Sequence, residues 1–184
     1  CGWGNANMAK VRGLEAMWGN VAGTAFTKKT QLIFSQTQWL KGTGTNIFAF
    51  GLTQRAGESG VIGLQVMSMS FGEIQITTGD NPDGGLGTYK PGLMNFALSY
   101  AKAFSNSIYG GLVVKFISES ISDVNAFDIA LDAGIQYVTG ENDQMAFGVA
   151  LKNVGPQMKF SGDGLSFKDI ISMKGIDQGY TFNQ

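Results

Sequence analysis

The chain has 184 residues, a net charge of −1, and only 15% charged against 43% hydrophobic residues, where soluble domains carry roughly 25% charged. That length suffices for one domain with a sizeable core, the charge offers no basic footprint for nucleic acid, and something other than a charged shell must meet the surroundings. A single cysteine, Cys1, excludes disulfide frameworks and thiolate metal clusters, and the lack of histidine removes the commonest general base, Ser-His triads and most zinc sites.

Residues 1–27, "CGWGNANMAKVRGLEAMWGNVAGTAFT", are rich in Gly and Ala and hold one plausible short helix around Val11 to Trp18. Beyond them the hydrophobic period changes to two. Seven strand-sized runs follow, at about 29–40, 45–54, 61–71, 93–104, 108–119, 126–138 and 144–153, each ended by turn residues. In 45–54, Phe48, Phe50 and Leu52 alternate with Ala49, Gly51 and Thr53. In 144–153, Met145, Phe147, Val149 and Leu151 alternate with Ala146, Gly148, Ala150 and Lys152. No run approaches about 18 apolar residues, so a transmembrane helix is not expected.

The stretch "AFDIALDAGIQY" (126–137) can be read two ways. As a helix, Asp128, Asp132 and Gln136 form a polar stripe at every fourth place. As a strand, Phe127, Ile129, Leu131, Ala133, Ile135 and Tyr137 share one face and the polar residues share the other with Ala and Gly. The neighbouring runs all alternate, which selects the strand.

Connections also alternate in length. "RAGES" (55–59), "SNS" (105–107) and "TGEND" (139–143) are short; residues 72–92 and the tail after Asn153 are long; the link from Glu119 to Asn125 is intermediate, and "KGTGT" (41–45) breaks the contrast. Short turns on one rim and long loops on the other are the habit of outer-membrane barrels. The non-greasy face is mostly Ala, Gly and Ser, which suits a confined interior better than a watered surface. Phe127 to Tyr137 would rise about 26 Å at the usual tilt, close to the roughly 25 Å apolar band of such barrels. Tyr100, Phe104 and Tyr137 precede short turns, where they would form an aromatic girdle; the Gly110-Gly111 pair leaves the face of Tyr109 open.

The expected fold is therefore an all-β antiparallel transmembrane barrel, seen in part as about seven strands of a larger one. Its organisation is an N-terminal segment at 1–27 that could plug the lumen, spanning strands over 28–155, and an extracellular loop or the start of the next hairpin at 156–184. Strands in hydrocarbon need a closed sheet, so seven imply more strands towards the C-terminus. A soluble β-sandwich is the competing architecture.

Asp128, Asp132 and Gln136 would point into the lumen, with Lys152 on the following strand and Lys115 and Glu119 on the preceding one. Such a set is either a polar track for a solute or an ion-pair lattice that holds register. Lysines on both neighbouring strands favour the lattice, because buried carboxylates need partners. A glycosidase pair is conceivable, but nothing separates Asp128 and Asp132 for that task. In "GDNPDGG" (79–85), Asp80, Asn81 and Asp83 look faintly like a calcium loop, yet the ligand spacing and the closing Glu are missing, so turn chemistry in an exposed loop is expected. Neither a cofactor nor an enzymatic activity is indicated.

Several segments carry a resemblance: "GWGNANMAKVRGLEAMWGNVAGTAF", "SMSFGEIQITT", "GTYKPGLMNFALSYAKAFSNSIYGGLVVKFISES" and "ALKNVGPQMKFSGDG". Together they resemble the PorV/PorQ family of outer-membrane proteins associated with the type IX secretion system, which are similar in shape to FadL-type barrels. The likeness spans about residues 2–167 and is most specific in "FGEI" followed by "GTY", and in "LKNVGP". Val21 departs from it, since residues 20–23 read Asn-Val-Ala-Gly where the family usually has Asn-Pro-Ala-Gly. The resemblance implies a bacterial outer-membrane location and a non-enzymatic part in secretion. Partners would be the bilayer, other secretion proteins and secreted cargo. The family barrel has about twice as many strands, implying that this chain is an N-terminal portion. Residues 74–90, with Asp80, Asn81, Asp83 and an aromatic anchor at Tyr89, are the expected partner-binding region. A FadL-like conduit for a hydrophobic solute is the alternative role, and a sandwich binding module the third.

Overall fold

The fold is described from a computed structural model over residues 6–77, 79 and 81–162, and by backbone alone over Ser166–Met173 and Ile176–Asn183. In chain order the strands are β1 (Thr30–Gln38), β2 (Asn46–Ala56), β3 (Gly60–Ser70), β4 (Ile74–Gln75), β5 (Thr88–Tyr89), β6 (Gly92–Ala103), β7 (Ile108–Ile121), β8 (Val124–Thr139), β9 (Met145–Val154), β10 (Phe160–Ser161), β11 (Ser166–Met173) and β12 (Ile176–Asn183). All seven alternating runs are strands, within a few residues of their expected bounds.

The large sheet has eight antiparallel strands in the order β1-β2-β3-β6-β7-β8, with both β9 and β10 along the far margin of β8. Among the described residues it does not close on itself. β4 pairs with β5 and β11 with β12 as separate two-stranded units. β9 and β10 are two pieces of one course along β8: Leu131 is opposite Val154 and Ala126 opposite Phe160, so residues 155–159 leave the sheet and rejoin it. Gly155 sits where an added Cβ would run into the carbonyl oxygen of Ile129.

Register turns the alternation of each strand into continuous rows across the sheet. Leu32, Leu52, Leu64, Leu98, Val114, Leu131 and Val154 are successive Cα partners on one face. On the other face Thr53, Gly63, Ser99, Val113 and Asp132 succeed one another. A slip of one residue between any two strands would break both rows at once.

The N-terminal segment covers the second of these faces. The short helix expected around Val11 to Trp18 is a 3₁₀ helix, Gly13–Trp18, and a second one, Val21–Phe26, follows it. Neither is long enough to depend on helical propensity; each is held from outside. Gln31 of β1 accepts the Leu14 amide at 2.7 Å with its Oε1. The Asn20 side chain accepts the Ala22 amide at 3.1 Å and caps the second helix. Leu14, Met17, Val21 and Ala25 are buried, and Val21 packs with Ala97 of β6 and Val113 of β7. The core therefore lies between this segment and the small-residue face of the sheet.

One further expectation changes, and the face of Tyr109, open in the sequence, is defined. The link from β7 to β8 is a two-residue turn, Ser122-Asp123, with Ser122 at φ 50°, because pairing continues to Ile121 and Val124. Tyr109 lies on the covered face, its ring 4.0 Å from that of Phe26, so it does not join Tyr100, Phe104 and Tyr137. No helix among the described residues is long and apolar enough to cross a membrane.

Candidate functional site

Two regions bear the candidate residues: the covered face of the sheet, and the rim formed by the long loop between β3 and β6.

On the covered face, Lys115 and Asp132 form an ion pair of 2.6 Å with side chains 9% and 5% exposed. They are diagonal neighbours across β7 and β8, since Asp132 is opposite Val113 and Lys115 opposite Ala130. The third member is Asn153. Its Oδ1 accepts from Lys115 Nζ at 2.8 Å, and its amide donates to Asp132 Oδ1 at 2.7 Å. Asn153 has φ 56° beside the register shift between Leu131 and Ala133, a left-handed conformation that Asn tolerates better than most residues. Sequence reasoning missed Asn153; its place between Lys152 and Gly155-Pro156, at the end of a run, was the signal available.

Lys152, expected beside Asp132, instead donates to the carbonyl oxygen of Trp18 at 2.8 Å. It therefore holds the N-terminal segment rather than a carboxylate. Gln136 is fully buried and does the same: its Nε2 donates to the carbonyls of Met8 at 2.8 Å and Val11 at 3.1 Å. Asn20 completes the attachment, its Nδ2 lying 3.0 Å from the Met8 and Ile135 carbonyls and 3.3 Å from that of Val149. A side chain at Gly134 would occupy the place of Asn20 Oδ1, and one at Gly148 the place of the Met8 carbonyl. The sheet approaches the segment too closely there for any Cβ.

Asp128 and Glu119 stand apart from these ties. Asp128 is half-buried, and its Oδ1 accepts the Ile129 amide at 2.8 Å. Glu119, also half-buried, has no hydrogen-bond or ion partner among the described residues. The six expected lumenal residues thus share one face, but only Lys115 and Asp132 are brought together directly.

At the rim, the 72–92 connection folds back on itself through β4 and β5, with Ile74 opposite Tyr89. Lys90 lies 2.7 Å from Glu73 at the base of this hairpin. A hydrogen bond and the charge of the Lys90 ammonium hold the Glu73 carboxyl below its usual value. Asn81 and Asp83 are exposed in the loop tip, and Asp80 lies outside the described residues. Tyr89 is half-buried and lines a cleft of about 330 Å³ with Phe71, Ile74, Leu93, Glu119 and Ile121. Among the described residues no group of three or more His, Cys, Asp or Glu side chains could hold a metal ion. Compared with protein-family profiles, curated proteins and solved structures, the chain matches none.

Proposed function

We propose that this sheet is the wall of a bacterial outer-membrane β-barrel, non-enzymatic, with a role in protein secretion of the type IX kind. The observation that carries the membrane reading is the sidedness of burial. Val149, Phe147, Leu112 and Phe127 are 75%, 61%, 63% and 63% exposed, whereas Gln136, Asp132 and Lys115 are 0%, 4% and 7% exposed. A water-soluble sheet protein has the opposite preference, since burying a polar group without gain costs free energy and leaving bulky hydrocarbon in water forfeits about 25 cal/mol per Å². An exposed apolar face this extensive needs a partner, and acyl chains suit a face without charge pattern.

A lipid environment adds a requirement at the margins. Among the described residues, β1 and the β9–β10 course have a partner strand on one side alone, so in hydrocarbon each must meet a further strand. Tyr100, Phe104, Tyr137 and Phe147 cluster at the short-turn end of the open face, with the Tyr137 and Phe147 rings 6.4 Å apart, as an interfacial girdle would. The secretory role rests on the resemblance to the PorV/PorQ family, and residues 74–90 of the folded-back loop are the proposed contact region for cargo. The tight seat of the N-terminal segment on the covered face favours this over a FadL-like conduit, because it obstructs the path a solute would take.

The test is photo-crosslinking in native outer membrane. A photoreactive residue at Val149 should label lipid, and one at Ala150 should label protein. Labelling of lipid from Ala150 with none from Val149 would refute the orientation and favour a soluble sandwich.

A further inference from the structure

We propose that the rim cleft is a binding site for an organic ammonium ion with an apolar substituent. This inference does not rest on the bilayer reading, since the cleft is bounded by the chain's own residues.

Its walls are apolar and aromatic: Phe71 and Tyr89, from the two ends of the long connection, line it together with Ile74, Leu93 and Ile121. Glu119 is the one carboxylate on its lining. Lys90, next in sequence to Tyr89, is engaged 2.7 Å from Glu73. Glu119 is opposite Ala126 and Ile117 opposite Asp128, which places Asp128 diagonally from Glu119 on the same face, roughly 7 Å away by strand geometry. The potential at this end of the cleft is therefore negative.

The lining fixes the chemical class. A carboxylate attracts a cation, and an aromatic ring whose face the cation meets stabilises it through its quadrupole. Because the rest of the wall is hydrocarbon, the fit is to an alkylated ammonium rather than a strongly hydrated metal or a bare guanidinium seeking a bidentate fork. A volume of about 330 Å³ admits a ring-sized substituent. An anion or a fatty acid would meet the Glu119 charge and be repelled.

Benzyltrimethylammonium is the probe, added to the full chain in maltoside micelles, which carry no ammonium group of their own. Saturation-transfer NMR should detect binding, referenced to empty micelles. Glu119→Gln should weaken it about tenfold, as loss of one partly desolvated charge pair does. Tyr89→Leu, which keeps an apolar wall, should weaken it about fivefold through loss of a cation–π contact. Both sites are partly exposed, and an unchanged β-type circular dichroism spectrum establishes that the variants are folded. The proposal is overturned if the folded wild type gives no signal above empty micelles, or if both variants bind as the wild type does. Stronger binding of phenylacetate than of the ammonium ion would also overturn it.

Discussion

Replacing Lys115 by Met isolates the buried ion pair from everything else on the covered face. The pair is 2.6 Å long, with both side chains less than a tenth exposed, so water can restore little of what the substitution removes. Met has a similar length and leaves no large cavity. What remains is Asp132 with one oxygen still bonded to the Asn153 amide at 2.7 Å and the other bare. Breaking one side of a buried pair costs about 3–5 kcal/mol, and the surviving Asn153 bond puts the expected loss near the lower figure, about 3 kcal/mol. Asn153 loses its Lys115 contact as well, without being forced out of the bulge. Asp132→Asn in the same background removes the stranded charge but keeps an acceptor for the Asn153 amide, so the double variant should recover about half of that loss. The assay is chemical unfolding followed by tryptophan fluorescence, with Trp18 reporting from the N-terminal segment, and the midpoint should fall while the slope stays constant. A Lys115→Met cost below about 1 kcal/mol, with additive single variants, would refute the view that this pair ties β7 to β8 and β9.

Three further perturbations address other parts of the molecule. Phe147→Arg should cost about 2–4 kcal/mol in lipid bilayers, measured by reversible unfolding, and an effect within about 0.5 kcal/mol would count against a lipid-facing position. Gly134→Ala should destabilise by about 1–3 kcal/mol and make residues 6–27 more sensitive to protease, because the new methyl competes with Asn20 Oδ1; unchanged proteolysis would mean the segment is not seated there. The Glu73–Lys90 contact should be pH dependent: the folded-state pKa of Glu73 is lowered, so its contribution is complete above the ordinary Glu value and disappears as pH falls through the lowered one. Amide exchange in β4 and β5 should then quicken on acidification in the wild type but not in Glu73→Gln, and identical profiles would dismiss the contact as a brace.

The strands were legible because period two is a local signal. In β8, the sequence alone placed Ile129 and Leu131 opposite to Ala130 and Asp132, and burial follows that division at every residue from Ala126 to Val138 except Asp128 and Ala133, which are intermediate. Which face would be covered was also legible, since Ala, Gly and Ser permit a backbone to come close. The N-terminal segment was not, because its 3₁₀ turns are imposed by Gln31, Asn20 and the glycines of distant strands rather than by any period of its own. The lysines illustrate the limit of pairing by strand order. Lys115 and Lys152 both neighbour β8, but the register shift near Asn153 gives Asp132 to Lys115 and the Trp18 carbonyl to Lys152. The Ser122-Asp123 turn was hidden for a similar reason: it contains neither Gly nor Pro, and its positive φ is carried by a serine.

The reach of Asn20 has a bearing on how the molecule is made. Its amide bonds to Ile135 and Val149 join positions 115 and 129 residues apart. The seat around Asn20 is therefore complete only once both β8 and β9 have been made. Contacts of such separation slow assembly and leave early portions open to unwanted encounters. Residues 6–27 thus precede by far the strands that hold Asn20, and a helper that shields them in the interval would act on the nascent chain rather than on the finished one.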